Sequence, residues 1–257
     1  MAKNPIVIAV AGKGGTGKTT VCGMLVRRLA AQGKRVLAVD ADPNSNLNEV
    51  LGVELPVSLG DIRERMANSE LSGNPIPGGM TKQEYMEFMM GDALTEERDY
   101  DLLVMGRTQG AGCYCYVNGV LKTQIDRYSG IYDAIVVDNE AGLEHISRGT
   151  LPRMDILLIV SDCSRRGVQA AGRVSIMAEE MKLAPQTMGL IVNRAPDGGL
   201  EDGIKEEIER QNLTLLGVLP QDANVYGFDS SGKPSADVPE DSPIKKALGA
   251  ILDRLGT

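Results

Sequence analysis

The sequence has no run of apolar residues long enough to cross a membrane and no cluster of basic residues. No stretch approaches the roughly 18 apolar residues of a membrane span, although 42% of the 257 residues are hydrophobic. The formal net charge of −8 argues against nucleic acid or an anionic membrane as the main partner. The apolar run at 6–11 lacks a cleavage site and indicates a strand rather than a signal peptide, so we expect a cytoplasmic protein.

Cysteine and histidine are also scarce, with four cysteines and one histidine, His145. Four cysteines in a cytoplasmic chain of this length do not form a disulfide framework, so metal binding or simple burial is expected. Cys22 and Cys163 are predicted to fill the core. The remaining two, Cys113 and Cys115, form a CxC pair flanked by glycines and tyrosines.

What the sequence does have is an alternation of short apolar runs with helical patterns. This alternation predicts an α/β fold, a mostly parallel β-sheet flanked by helices on both faces. Without repeats or a low-complexity linker, residues 1–257 are predicted to form a single domain. The predicted strands are 6–11, 35–41, 101–106, 134–139, 156–161, 188–193 and 215–220.

A methionine-rich segment separates the second and third of these strands. Thr81 and Glu84 have the spacing of a capping box, which predicts a helix over residues 81–94. Two interpretations of the region from Met80 to Met90 stay open: adaptable core filling, or a surface that docks a partner.

The strongest motif is AGKGGTGKTT at 11–20, which follows a predicted strand and precedes a helical pattern. It contains a complete P-loop, whose backbone N–H groups and helix N-terminus bind phosphate. Lys18 is predicted to reach the β- and γ-phosphates, and the Thr19 hydroxyl to bind Mg²⁺. The predicted nucleotide-binding residues of the loop are Gly12, Lys13, Gly14, Gly15, Thr16, Gly17, Lys18, Thr19 and Thr20.

Acidic residues follow two of the predicted strands. Asp40 and Asp42 end the second strand and Asp138 ends the AIVV strand, at the edge where α/β sheets place their ligands. An alternative interpretation is that these aspartates only cap the helices that follow.

Because of Lys13, the loop reads K-G-G-T-G-K-T and resembles the deviant Walker A family of MinD, ParA and the nitrogenase iron protein. The resemblance implies a P-loop NTPase fold and an ATP-closed homodimer in which Lys13 contacts the partner's nucleotide. It further implies that Asp42 positions the attacking water and Asp40 lies near Mg²⁺. Asp138 takes the Walker B-like position, so Lys13, Lys18, Asp42 and Asp138 are the predicted catalytic residues.

The nucleobase is predicted to be adenine. The strand ending VNRAP lacks the N-K-x-D pattern by which GTPases recognise guanine. Asn193 lies at the family's adenine-contacting position, and the loop from Pro220 is placed to close the base pocket. ATP is therefore favoured over GTP.

The CxC pair is predicted to form half of a metal site. On an extended backbone, residues i and i+2 project to the same side, so both thiolates can face one ion. Zn²⁺ normally takes four ligands, and a two-fold dimer would supply four sulfurs from Cys113 and Cys115 of both subunits. Either Ni²⁺ or Zn²⁺ fits this ligand set. The alternative is two small buried residues near a turn.

The deviant Walker A, the segment DNEAGLEHISR and the central CxC together resemble the CooC-type ATPases. These are nickel-insertion factors for carbon monoxide dehydrogenase, with a relative that serves acetyl-CoA synthase. The resemblance implies a metallochaperone that couples ATP turnover to nickel insertion into such a client.

Two alternatives stay open. An iron–sulfur carrier or reductase would need a differently spaced cysteine pair, and scaffold relatives carry CxxC near the C-terminus. A MinD- or ParA-like spatial organiser would bind membrane or DNA. The apolar face of the final helix, with Ile244, Leu248, Ile251, Leu252 and Leu255, is predicted to pack in the core instead.

Overall fold

The computed structural model describes residues 4–54, 57–71, 79–107, 130–141 and 154–257, together with residues 119, 122, 123 and 125. Cys113, Cys115 and His145 lie outside the described residues. The metal-site prediction for the CxC pair therefore stays a prediction.

A single sheet unites the strands of the described residues. These strands are β1 (Ile6–Gly12), β2 (Val36–Asp40), β3 (Leu94–Glu96), β4 (Tyr100–Val104), β5 (Ala134–Asp138), β6 (Ile156–Asp162), β7 (Thr187–Ala195) and β8 (Leu215–Pro220). Their order is β3-β4-β2-β5-β1-β6-β7-β8. Every neighbouring pair is parallel except β3 and β4, which are antiparallel. The predicted mostly parallel sheet is confirmed.

Helices cover both faces of the sheet. They are α1 (Lys18–Ala31), α2 (Leu47–Leu51), α3 (Leu59–Leu71), α4 (Lys82–Gly91), α5 (Arg165–Glu180), α6 (Asp202–Arg210), α7 (Ala223–Ser230) and α8 (Pro243–Leu255). Two short 3-10 segments occupy Pro196–Gly198 and Ser235–Asp237.

Two apolar cores result from the alternation of side chains along each strand. In β1, Val7 and Ala9 join the core beneath α3, α5 and α6, whereas Ile8 and Val10 join the core beneath α1, α2 and α8. Because both faces are covered, central strands such as β2 and β5 are buried at every position, which explains their consecutive apolar residues.

The methionine-rich helix has the predicted start but not the predicted end. At its start, Glu84 accepts a hydrogen bond from the Thr81 backbone N–H at 2.7 Å, and the Glu84 N–H donates to the Thr81 hydroxyl at 3.2 Å. The helix stops at Gly91, because Leu94 pairs with Leu103 at the edge of the sheet. Met89 is buried in the core and Met80 is 38% exposed.

The final helix, α8, packs against the core as predicted. Ile244, Leu248, Ile251 and Leu252 are buried, and Leu255 packs against them from a partly buried position. Within the described ranges, no helix has the length and apolar character needed to cross a membrane.

Parallel pairing brings the carboxyl ends of the central strands to one edge of the sheet. The register pairs Asp138 of β5 with Val10 of β1 and with Asp40 of β2. On the other side of β1, Gly12 pairs with Val160, and Asp162 of β6 pairs with Asn193 of β7. The residues predicted to bind nucleotide therefore meet at this edge.

Candidate nucleotide site

Three glycines give the P-loop its path between β1 and α1. Gly12 has φ 144°, and a Cβ there would lie 2.2 Å from the Val160 carbonyl oxygen of the neighbouring strand. Gly15 and Gly17 have φ of 80° and 87°, in the left-handed region that glycine adopts without steric cost. The loop geometry therefore requires glycine at these positions.

The N-terminus of α1 is open toward the loop. Its N-cap residue is Gly17, and among the described residues no side chain caps it or places a carboxylate in the first turn. The first N–H groups of a helix have no intrahelical partner and carry partial positive charge. An end of this kind binds phosphate.

The two P-loop lysines differ in exposure. Lys18 is buried, and its ammonium donates to the Lys13 carbonyl at 3.3 Å, as does the Thr16 hydroxyl at 2.9 Å. The side chain of Lys13 is exposed. The loop thus holds one cation over its own phosphate site and presents the other to the surroundings.

A pair of buried carboxylates lies beside this loop. Burial first, and then the charge of Asp40, raise the pKa of Asp138 to about 7, although the Thr19 hydroxyl and the Lys18 ammonium act to lower it. Asp138 Oδ1 is buried without a hydrogen-bond partner among the described residues. An unpartnered carboxylate oxygen beside a threonine hydroxyl suits the all-oxygen coordination of Mg²⁺, either directly or through water.

Asp40 has a structural role at this edge of the sheet. Its two carboxylate oxygens accept hydrogen bonds from the backbone N–H groups of Asp42 at 3.0 Å and Leu47 at 2.9 Å. Burial raises the pKa of Asp40 to about 6, although these N–H bonds lower it. The carboxylate therefore ties the start of α2 to the end of β2. The capping alternative describes what Asp40 does in this structure, and its place near Mg²⁺ stays a prediction.

Asp42 follows Asp40 by two residues, in a loop that its own side chain stabilises. Its carboxylate accepts from the Asn44 backbone N–H at 2.8 Å and from the Asn44 side-chain amide at 3.0 Å. Arg107 in turn donates to the Asn44 side-chain oxygen. These bonds hold the Asp42 carboxylate in the loop that follows β2, and they do not test its predicted catalytic role.

Asn193 and Arg194, at the end of β7, contact the P-loop directly. The buried Asn193 amide donates to the Thr16 carbonyl at 2.9 Å, and Arg194 Nη1 donates to the Gly15 carbonyl at 3.0 Å. Asn193 Oδ1 accepts from the Arg194 backbone N–H at 2.9 Å. The predicted adenine contact of Asn193 stays a prediction, and the contact with the loop is a finding.

A cleft opens from the P-loop toward β7 and β8. Its volume is about 780 Å³, and it is lined by Gly17, Thr20, Asn193, Pro220 and Tyr226 among others. This P-loop cleft brings together the loop and both residues predicted to surround the base. Tyr226, 75% exposed, was not identified from the sequence because nothing in its local pattern marks it.

Comparison with known proteins identifies the family. The model of the CobQ/CobB/MinD/ParA nucleotide-binding domain matches residues 7–235, which include every strand of the sheet except the first residue of β1. The chain belongs to this family.

Relatives within the family differ in what is known of them. An ATP-binding protein of Methanocaldococcus jannaschii that is described as uncharacterised is 38% identical over 250 residues, 97% of this chain and 98% of its own. The carbon monoxide dehydrogenase accessory protein CooC of Rhodospirillum rubrum is 31% identical over 279 residues, 97% of each. The cell division ATPase MinD of Pyrococcus furiosus has a TM-score of 0.69 at 25% identity, covering 99% of this chain and 100% of its own.

The two cysteines of the described residues, Cys22 and Cys163, do not line the P-loop cleft. Cys22 is buried in α1, and burial raises the pKa of its thiol well above the usual range. Cys163 is partly buried against the core. Across the described part of the chain, no three histidine, cysteine or acidic side chains cluster in a way that would hold a metal ion.

Proposed function

We propose that the protein is an ATP-hydrolysing homodimer of the CooC type that delivers nickel to a client enzyme. The observation that carries the ATPase part is the open N-terminus of α1 beside the buried pair of Thr19 and Asp138. The first binds phosphate, and the second suits the magnesium ion that accompanies a nucleoside triphosphate. Residues 1–257 act as one ATPase domain in this proposal.

The chemistry at the nucleotide divides among four side chains. Lys18 binds the phosphates, while Thr19 and Asp138 hold Mg²⁺, which neutralises phosphate charge when bound. Asp42 orients the attacking water. Lys13 is exposed and free of the fold's interior, as a residue that reaches the partner's nucleotide must be. A cation supplied by the partner stabilises the charge that develops during transfer.

Adenine is the proposed base. The P-loop cleft contains Asn193 and Pro220 and has the exposed ring of Tyr226 at its wall. An aromatic ring at the wall can stack on any purine, so it does not distinguish the bases. The choice of ATP rests on the missing N-K-x-D pattern and on the family resemblance.

Nickel is the proposed cargo, bound by Cys113 and Cys115 of two subunits. Support comes from the CxC spacing and from the identity to CooC, whose name connects it to carbon monoxide dehydrogenase. ATP closes the dimer and changes the distance between the two CxC pairs, so nucleotide and metal affinities are coupled. The client is a nickel enzyme such as carbon monoxide dehydrogenase or acetyl-CoA synthase.

A MinD-like spatial organiser is the second candidate, because the fold matches MinD along its whole length. MinD-like membrane binding uses an amphipathic helix at the C-terminus. In this chain the apolar residues of α8 are already buried against the core. We therefore favour the metallochaperone.

The test is a comparison of the Cys113→Ala, Cys115→Ala double variant with a Cys163→Ala control. The wild-type chain and the control are expected to bind about one Ni²⁺ per two chains, since one ion takes four sulfurs. The double variant is expected to lose the metal and still bind Mg-ADP. Metal analysis after gel filtration and calorimetry with Mg-ADP measure the two properties. Retention of the full metal stoichiometry by the double variant would overturn the cargo site.

A further inference from the structure

We propose that Asn193 and Arg194 form a clamp that sets the peptide orientation of the P-loop, with Arg194 as a positioning residue for nucleotide binding. The proposal rests on the proposed function for the identity of the ligand. Its basis is a pair of contacts between the end of β7 and two successive P-loop carbonyls.

The clamp acts on consecutive peptide units. Arg194 Nη1 donates to the Gly15 carbonyl at 3.0 Å, and Asn193 Nδ2 donates to the Thr16 carbonyl at 2.9 Å. In a planar trans peptide, the N–H of the next residue points opposite to the C=O. Holding these two carbonyls toward β7 therefore fixes the N–H groups of Thr16 and Gly17 on the opposite side, toward the centre of the loop.

The two clamp residues form one rigid unit. Asn193 is buried and pairs with Asp162 in the sheet register, and its Oδ1 accepts from the Arg194 backbone N–H at 2.9 Å. The approach to the loop is close: a Cβ on Gly17 would lie 2.4 Å from Asn193 Nδ2. Glycine at this position serves the contact with the clamp as well as the turn.

Arg194 has a left-handed backbone conformation, at the point where the pairing of β7 with β8 shifts register. Its φ is 57°, in the left-handed region that is unfavourable for residues with a Cβ. The side chain is exposed, so apolar burial does not compensate for this conformation. Strained backbone of this kind concentrates at ligand sites. The left-handed turn directs the guanidinium back over the loop.

Preorganised carbonyls should affect affinity more than turnover. Without the clamp, the loop would have to order its N–H groups when the phosphate binds, which weakens binding of ADP and ATP alike. One charged hydrogen bond contributes about 1.5–3 kcal/mol. At 1.4 kcal/mol per tenfold change in Kd, loss of the Arg194 bond should weaken Mg-ADP binding about tenfold or more.

The experiment uses Arg194→Gly, Arg194→Lys and the control Arg173→Ala, whose exposed side chain lies on α5. Calorimetry gives the Kd of Mg-ADP and a thermal melt gives Tm. Arg194→Gly should bind about tenfold more weakly yet melt at or above the wild-type temperature, because glycine adopts positive φ freely. Arg194→Lys keeps the charge but not the planar fork, so its Kd for Mg-ADP should lie between those of the wild type and Arg194→Gly.

Three outcomes would overturn the clamp and leave the proposed function standing. If Arg194→Gly binds Mg-ADP with wild-type affinity, the contact between Arg194 and the Gly15 carbonyl has no role in binding. Full affinity in Arg194→Lys shows that charge alone matters. A fall in Tm that parallels the fall in affinity shows a structural role. A wild-type chain that binds no Mg-ADP overturns the proposed function and the clamp with it, whereas wild-type binding with an unaffected glycine variant overturns the clamp alone.

Discussion

Helices α1 and α5 begin at the same edge of the sheet, after the neighbouring parallel strands β1 and β6, yet their N-termini differ. At α1 the N-cap is Gly17, without a side-chain cap in the described structure. At α5 the Ser164 hydroxyl accepts from the Gly167 N–H at 3.0 Å and donates to Asp162. One helix end is closed by its own side chains, and the other is left for a ligand.

The charges around the N-termini of α1 and α5 also differ. The ammonium of Lys18 adds positive charge at the open end, whereas the closed end has the Asp162 carboxylate, which would lie 2.2 Å from a Cβ on Gly167. Both ends carry the same partial charge from the helix dipole. With the same dipole at both ends, only the end of α1 is free of a competing side-chain acceptor among the described residues.

The largest expected effect is at the open end. Lys18→Ala removes the buried cation and should weaken Mg-ADP binding by about 100-fold or more, because charged hydrogen bonds each contribute about 1.5–3 kcal/mol. Calorimetry with Mg-ADP measures the loss. Lys205→Ala, an exposed lysine paired with Asp202 on α6, is the matched control and should bind normally. Equal affinity in the two variants would contradict the phosphate site.

The buried carboxylates beside the open end give the next effect, on stability without nucleotide. Asp138 has a pKa of about 7 in the folded chain, against about 3.9 unfolded. The folded chain therefore binds protons more tightly, and the free energy of unfolding is highest below about pH 4 and falls as the pH rises through 7. Asp138→Asn should remove this fall and raise the unfolding free energy at pH 8 by about 2–4 kcal/mol.

Urea unfolding between pH 5 and pH 8 measures this change. Asp40, with a pKa of about 6, contributes a slope of the same sign that the Asp138→Asn variant keeps. Saturating Mg-ADP should flatten the wild-type slope, since Mg²⁺ compensates the same charge. Parallel slopes for wild type and variant in the absence of nucleotide would contradict the burial argument.

The smallest effect is expected at the closed end. Ser164→Ala removes the N-cap of α5 and should lower the unfolding free energy by about 1 kcal/mol, the usual cost of losing a serine cap. Its affinity for Mg-ADP should equal that of the wild type. A loss of affinity would show that the two helix ends are not independent.

The central strands of the sheet were predicted from the sequence, but its short edge strand β3 was not. All seven predicted strands are present within one or two residues, because buried parallel strands have consecutive apolar residues. The three-residue strand β3 was missed, and its first residue, Leu94, was assigned to the preceding helix. A short antiparallel edge strand has too few positions to show a period, and its pairing with β4 depends on distant residues.

The site was predicted where its signal is local. The P-loop residues are consecutive in sequence, and their spacing alone identifies them. The clamp of Arg194 was not predicted, and the capping interpretation of Asp40 did not include its bond to the Asp42 N–H. Arg194 and Gly15 are separated by 179 positions, and only the folded sheet brings them together. Long-range hydrogen bonds of this kind leave no pattern along the chain.

In the proposed mechanism, nucleotide binding and metal binding are coupled through a homodimer. The most direct measurement is a Ni²⁺ titration of the wild-type chain with and without a saturating non-hydrolysable ATP analogue. We expect about one ion per two chains and a Kd for Ni²⁺ that changes about 5-fold or more with the analogue. The affinity for the analogue should change by the same factor when Ni²⁺ is bound. Identical Ni²⁺ affinity in both conditions, or full-affinity binding to a monomer, would contradict the account.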